Sequence, residues 1–170
     1  MSFLRWGLLT LILFLSGCGY ALEGSVKSLP SDIHGLAIPY VKNASSKILL
    51  AGMLTDELNR QFTTSKFVRL VDMDRAEAVL DVNIRSVRVI GATLTDIART
   101  SSRRIIITLD ASLKRRGSDE LLWQGREIVG RETYVVTADQ MTTEMNEELA
   151  MRKIARDLAE RIHNHIFERF

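Results

Sequence analysis

Ile105-Ile106-Ile107-Thr108-Leu109-Asp110-Ala111-Ser112-Leu113-Lys114 is the stretch that decides the fold of this chain. Its odd positions are apolar from 105 to 113, while its even positions turn polar from Thr108 onward. That period of two belongs to a strand with one face buried. Arg116-Gly117-Ser118-Asp119 follows as a turn, with Gly117 free to take positive φ. Leu121-Leu122-Trp123 then opens a returning strand that runs to about Arg131. Upstream, Val79 to Val89 forms another long strand, with Leu80, Val82 and Ile84 on one face and Asp81, Asn83 and Arg85 on the other. Its apolar set switches parity at Val87 and Val89, which predicts a bulge near Ser86. The polar, Thr- and Ser-rich stretch from Gly91 to Ser102 reads as the loop joining these two strands.

Helices flank this meander. Leu36-Ala37-Ile38-Pro39-Tyr40-Val41 is a short strand, placed at a sheet edge by Pro39, which has no N–H to donate. Asn43-Ala44-Ser45-Ser46 offers N-cap side chains for a helix that ends near Phe62. Leu50, Leu54, Leu58 and Phe62 form its apolar stripe, and Phe67 to Val71 is a brief extended segment after it. The final helix is expected from about Met145 to Phe167, with Met151, Ile154, Ala155, Leu158, Ile162 and Ile166 along one side. Glu148 with Arg152 and Asp157 with Arg161 add i,i+4 pairs in the better orientation. Each helix has a single apolar stripe, so both belong on the same side of the sheet. The expected fold is α+β, a two-layer sandwich with two helices packed on one face of a mixed four-stranded sheet. The first strand enters through a helical crossover, which should be right-handed.

The N-terminus has a separate logic. Arg5, the apolar run Leu8 to Leu15 and the small residues before Cys18 have the anatomy of a secretory signal. Leu15-Ser16-Gly17-Cys18 resembles a bacterial lipobox, which implies cleavage before Cys18 and acylation of its thiol and new amino group. The apolar segment is shorter than the ~20 residues of a membrane span, whereas two or more acyl chains anchor stably. Residues 1–17 are therefore expected to be a removed signal peptide, and residues 18–170 one domain. Gly19 is not the Asp that retains lipoproteins in the inner membrane, so the outer membrane is the expected address. Of 23 Lys and Arg against 21 Asp and Glu, Arg5 leaves with the signal, which brings the two signs within one of each other. So balanced a chain has no global field to recruit nucleic acid. Its only cysteine is committed to lipid, which excludes thiolate metal sites.

No catalytic constellation is evident, and no cofactor or metal is expected. His34 is isolated, while His163 and His165 stand two apart on a helix and point in different directions. Asp72 and Asp74 flank a turn without a partner acid, and Gly117, Gly125 and Gly130 are too scattered for a phosphate loop.

Cys18-Gly19-Tyr20-Ala21-Leu22, Leu29-Pro30, the segment Leu36 to Val41 and Asn43 together resemble the opening of the LptE family of lipopolysaccharide-assembly lipoproteins. The step Ala76-Glu77-Ala78-Val79-Leu80, Leu121-Leu122-Trp123 and the C-terminal amphipathic helix extend the similarity over most of the chain. The resemblance implies a plug inside the LptD β-barrel, anchored in the outer membrane, that binds lipopolysaccharide during its transfer to the cell surface. Arg99, Arg103 and Arg104 stand near the family's basic loop position and are the candidate lipopolysaccharide contacts. The family's second basic position, after the last strand, has no lysine within Val136-Thr137-Ala138-Asp139-Gln140, and Arg131 is the nearby source of charge. Lys114-Arg115-Arg116 at the opposite sheet end is the competing cluster, and a solvated turn is the structural reading of either. The alternative function is a lipoprotein regulator of a peptidoglycan synthase. Such a protein needs a long tether, and fewer than twenty residues separate Cys18 from the first strand near Leu36.

Overall fold

The computed structural model describes residues 29–30, 32–94, 101–118 and 120–167. In chain order its elements are β1 (Gly35–Ala37), β2 (Lys42–Asn43), α1 (Leu49–Thr63), β3 (Arg69–Leu70), β4 (Ala78–Leu94), β5 (Ser101–Arg115), β6 (Leu121–Val136) and α2 (Gln140–Phe167). The strands form one mixed sheet in the order β3-β1-β4-β5-β6, with β2 also bonded to β4. β1 is parallel to both β3 and β4, and β2 is parallel to β4, while β4, β5 and β6 make an antiparallel meander. The α+β class and the two helices agree with the sequence expectation. The strand count is six rather than four. Pro39 interrupts the expected 36–41 strand, leaving β1 before it and β2 after it, and the extended segment near Phe67 supplies β3.

Period two carries the core. Ile105, Ile107, Leu109, Ala111 and Leu113 are buried under the helices, and the even residues between them, from Ile106 to Ser112, are half-buried on the other face. Leu50, Leu54, Leu58 and Phe62 of α1 and Ile154, Leu158 and Ile162 of α2 meet them in one cluster. Burying each such side chain contributes ~1.5–3 kcal/mol. α2 approaches β6 closely because Gly130 has no side chain: a Cβ there would stand 2.3 Å from Ile154 Cγ2 and 3.1 Å from Leu158 Cδ1. Among the described residues, no layer covers the face opposite the helices.

The expected bulge lies one residue early. Ile84 is opposite Leu109 and Ser86 opposite Thr108, so Arg85 is the extra residue. β6 bulges at the same level, where Arg126 and Glu127 together face Asp110 and Glu127 takes φ 52°. Asp110 serves both irregularities: Arg85 Nη1 donates to its Oδ2 at 3.0 Å and the Glu127 N–H to its Oδ1 at 2.8 Å.

Three boundaries differ from expectation, each for a local reason. Asn43 and Ser45 do not cap α1. The Asn43 Oδ1 accepts from the Ser45 N–H at 2.9 Å and its Nδ2 donates to the Lys47 carbonyl at 2.9 Å, so these residues shape a turn and the helix begins at Leu49. α2 begins at Gln140, five residues before the expected Met145, because the Thr142 N–H donates to Asp139 Oδ2 at 2.8 Å and caps it. β4 runs on to Leu94, β5 starts at Ser101 and β6 continues to Val136, so both ends of the stretch read as a loop from 91 to 102 are strand. Gly117, at φ +79°, makes the expected turn.

Leu158→Ala is expected to cost ~2–5 kcal/mol, because the site is sealed on all sides. Gly130→Ala adds only one methyl group yet should cost ~1–3 kcal/mol by forcing Ile154 out of place. Urea denaturation measures both, and an unchanged midpoint for either would refute the described seating of α2.

Candidate functional site

The sheet has two ends of different character. At one, which we call the loop end, the last residue of β4, the first of β5 and the β6–α2 connection lie together; at the other, the turn end, the 116–118 turn meets residues 32–35 and 72–77. Two of the predicted arginines, Arg103 and Arg104, belong to the loop end, but strand parity divides them. Arg103 and Arg104 are consecutive in β5 and so point to opposite faces. Arg103 stands opposite Gly91 and Tyr134 on the helix side, and Arg104 opposite Ile90 and Thr133 on the uncovered side. Arg99 and Cys18 lie outside the described residues.

Register supplies Arg104 with other company. Arg88 and Arg131 both stand opposite Ile106, one on each neighbouring strand, on the uncovered face. Arg104 is the diagonal neighbour of each, ~7–8 Å away between Cα atoms. The three side chains form an exposed triangle around Ile106, with Ile90, Thr133 and Val135 beside it. Among the described residues, no carboxylate comes within salt-bridge distance of Arg88, Arg104 or Arg131. Arg104 Nε reaches Thr133 Oγ1 only at 3.5 Å, the outer limit of a hydrogen bond. Three guanidiniums without a carboxylate among the described residues, on a partly apolar surface, can grip phosphate or carboxylate oxygens in pairs. Arg88 and Arg131 lie 16 and 27 positions from Arg104 in sequence, and only the ladder brings them together.

The competing cluster is differently employed. Arg115 is held by Asp32 and, at 2.6 Å, by Glu120 Oε2, and Arg116 donates to the Asp74 carbonyl. These bonds keep the Asp32 carboxyl below its ordinary value and raise Arg115 above its own. Glu77 accepts the backbone N–H groups of Gly35 and His34, which depresses its carboxyl as well. At this end Arg115 and Arg116 therefore fasten β1, β4 and the 116–118 turn to one another, and Lys114 alone among the three is left without a described partner. Among the described residues no three His, Cys, Asp or Glu side chains converge as a metal would require.

Two helices on one side of an antiparallel meander, with a cationic patch on the other, define a small two-layer α+β protein of the kind found among bacterial lipoproteins. A lipoprotein of Caulobacter crescentus CB15 superposes with a TM-score of 0.52 at 13% identity, over 76% of this chain and 88% of that one. A minor lipoprotein of Acinetobacter baumannii gives 0.51 at 15%, over 82% and 95%, and lipoprotein B of Nitrosomonas europaea gives 0.50 at 18%, over 88% and 90%. At such identities the likeness is one of fold. The chain belongs to the family described as LptE, Lipopolysaccharide-assembly, which matches residues 33–166. No curated protein matches its sequence.

Asp32, Glu77, Asp110 and Asp139 all have depressed carboxyl pKa values; for Asp110 the Glu127 N–H is the main cause and Arg85 a lesser one, and for Asp139 the Thr142 hydroxyl and N–H. A group ionised more easily when folded contributes stability that is complete above its unfolded pKa of ~4 and is lost as pH falls through the lower folded value. Urea midpoints are expected to hold near neutrality and fall below about pH 4. Asp110→Asn should lower the midpoint at neutral pH and make that fall shallower; an unaltered slope would exclude Asp110 from the acid transition.

Proposed function

We propose that this chain is an outer-membrane lipoprotein that plugs the lumen of an LptD-type β-barrel and binds lipopolysaccharide as it passes to the outer leaflet. The observation that carries the ligand reading is the triangle of Arg88, Arg104 and Arg131, exposed and free of carboxylates among the described residues, at the loop end of the uncovered face. Lipopolysaccharide presents phosphates and sugar acids, to which arginine binds in bidentate fashion. Arg103, on the helix side, extends the charge around the same end, and Arg99, outside the described residues, remains a candidate contact. The role in assembly follows from the family. Acylated Cys18 tethers the chain on the periplasmic side, and eleven residues from Cys18 to Leu29 reach at most ~40 Å, which keeps the domain beside the bilayer. A barrel lumen presents mixed polar contacts over a large area, and that suits a plug with a charged, solvated surface.

Replacing Arg88, Arg104 and Arg131 together with Ala should weaken lipopolysaccharide binding by about tenfold or more and flatten its salt dependence, because exposed charges act over ~8–10 Å at moderate ionic strength. Lys66, Arg69 and Lys114 at the turn end form a control of equal charge, and their replacement should leave affinity near the parent value. Equal loss from both sets in a titration at several salt concentrations would reduce the interaction to non-specific attraction. Association with the barrel is expected to survive the Arg88, Arg104 and Arg131 changes. Cys18→Ser should abolish acylation, and mass spectrometry finding an unmodified Cys18 in the mature wild-type protein would exclude the anchor.

A further inference from the structure

The N-terminal third of α2 has no core to face. From Gln140 to Leu149 the helix buries no residue fully, yet Met141, Met145 and Leu149 recur at four-residue spacing and are 74, 56 and 58% exposed. Beside this stripe, a groove of about 350 Å³ runs between α2 and the outer edge of β6, lined by Tyr134, Val135, Asn146, Leu149, Ala150 and Lys153 among others. That volume falls at the lower end of the ~300–1,000 Å³ typical of small-molecule sites. The Lys153–Glu132 ion pair, at 2.8 Å, forms part of its lining.

We propose that this groove holds an acyl chain of an anionic, phosphate-bearing lipid whose head lies on Arg104 and Arg131. The proposal rests on the arginine reading above and adds to it the place where the apolar part of the ligand goes. Two observations select the occupant. First, the groove and the arginine triangle are continuous across the β6 edge: Thr133 lines the groove, stands opposite Arg104 in the ladder, and lies two residues from Arg131. A cationic surface meeting an apolar channel over one strand complements a ligand with a negative head and an aliphatic tail. Second, the edge is poorly disposed to take an added protein strand. Asn146 Nδ2 donates to the Val135 carbonyl and Arg161 Nη1 to the Val129 carbonyl, both at 3.0 Å. With these two acceptors already engaged by α2, an incoming strand would find an interrupted ladder. An acyl chain needs no hydrogen bonds, and it gains from covering Leu149, Met145 and Val135. Methionine, flexible and polarizable, adapts to chains of different length.

The test uses the full chain in lipid nanodiscs containing phosphatidic acid with a diazirine at its acyl terminus, and inorganic pyrophosphate as a probe of the head site alone. Photolysis should attach the lipid within residues 132–135 and 141–153. Met145→Gln with Leu149→Gln should lower this labelling by about tenfold and leave pyrophosphate binding unchanged, while Leu149→Trp, which keeps the groove apolar, should retain the labelling. Both positions are exposed, so the fold should persist, and circular dichroism confirms that. Labelling elsewhere on the surface, or undiminished labelling in the Gln variant, would overturn the acyl site. New hydrogen-exchange protection of the Arg131 and Thr133 amides on adding the barrel partner would overturn it in favour of a docked strand. The arginine reading fails separately if Arg104→Ala with Arg131→Ala binds pyrophosphate as the parent does.

Discussion

Everything in this molecule depends on α1 and α2 both covering the same side of the sheet. Ile105, Ile107, Leu109 and Leu113 are wholly buried because the two helices lie against them, and the residues between them point to the side that no described layer covers. A strand covered on one face must alternate, and a slip of one residue would exchange the whole apolar set for the polar one. The two bulges at the level of Asp110 therefore matter to register. Each adds a residue to an outer strand of the meander, and one carboxylate on the middle strand holds both. The parity change after Arg85 returns Val87 and Val89 to the helix side, so β4 stays in phase with β5 beyond the bulge.

The same one-sidedness makes the arginine triangle possible. On a doubly covered sheet, Arg88, Arg104 and Arg131 would be buried charges, and each would need a partner or cost several kcal/mol. On an open face they remain hydrated and available. Among the described residues an anion would displace no ion pair there, only the long Arg104–Thr133 contact. The turn end shows the opposite use of charge. Arg115 and Arg116 are bonded to Asp32, Glu120 and the Asp74 carbonyl, and releasing either for a ligand would loosen the junction of β1, β4 and the 116–118 turn. Equal formal charge at the two ends thus has different chemical availability, set by neighbouring carboxylates.

This contrast also explains what the amino-acid sequence discloses. Wherever one side of an element meets the core, its period is plain: Leu50, Leu54, Leu58 and Phe62, or Ile105 to Leu113, are legible without coordinates. Legibility fades at the loop end, where no apolar alternation marks Gly91 to Leu94, Ser101 and Ser102 as strand. The start of α2 is hidden for the same reason, since its first ten residues have no core side, although Asp139 with Thr142 is a capping signal that residue chemistry does offer. Proximity in sequence is a poor guide to the site. Arg103 and Arg104 are adjacent yet diverge, whereas Arg88 and Arg131 come from other strands and converge on Arg104 only through the ladder. Strand parity alone separates the first pair; joining the second requires the pairing register, and the Arg85 bulge shifts that register by one.

The β6 edge is where these features meet. A long outer strand invites unwanted pairing, and proteins suppress it with bulges, charges or a covering element. Here all three devices occur on one strand: the bulge at Arg126 and Glu127, the exposed Arg131, and α2 reaching over to the carbonyls of Val129 and Val135. Protection by side chains from a neighbouring helix differs from protection by a further strand, because side chains reach the edge carbonyls at intervals and leave the stretches between them open. Asn146 and Arg161 reach the edge at two points and leave a channel beside the first of them, where Leu149 and Ala150 form the wall. The apolar groove is thus a geometric consequence of guarding the edge with a helix. Its position beside Thr133, across the strand from Arg104 and Arg131, follows from the same register that assembles the triangle.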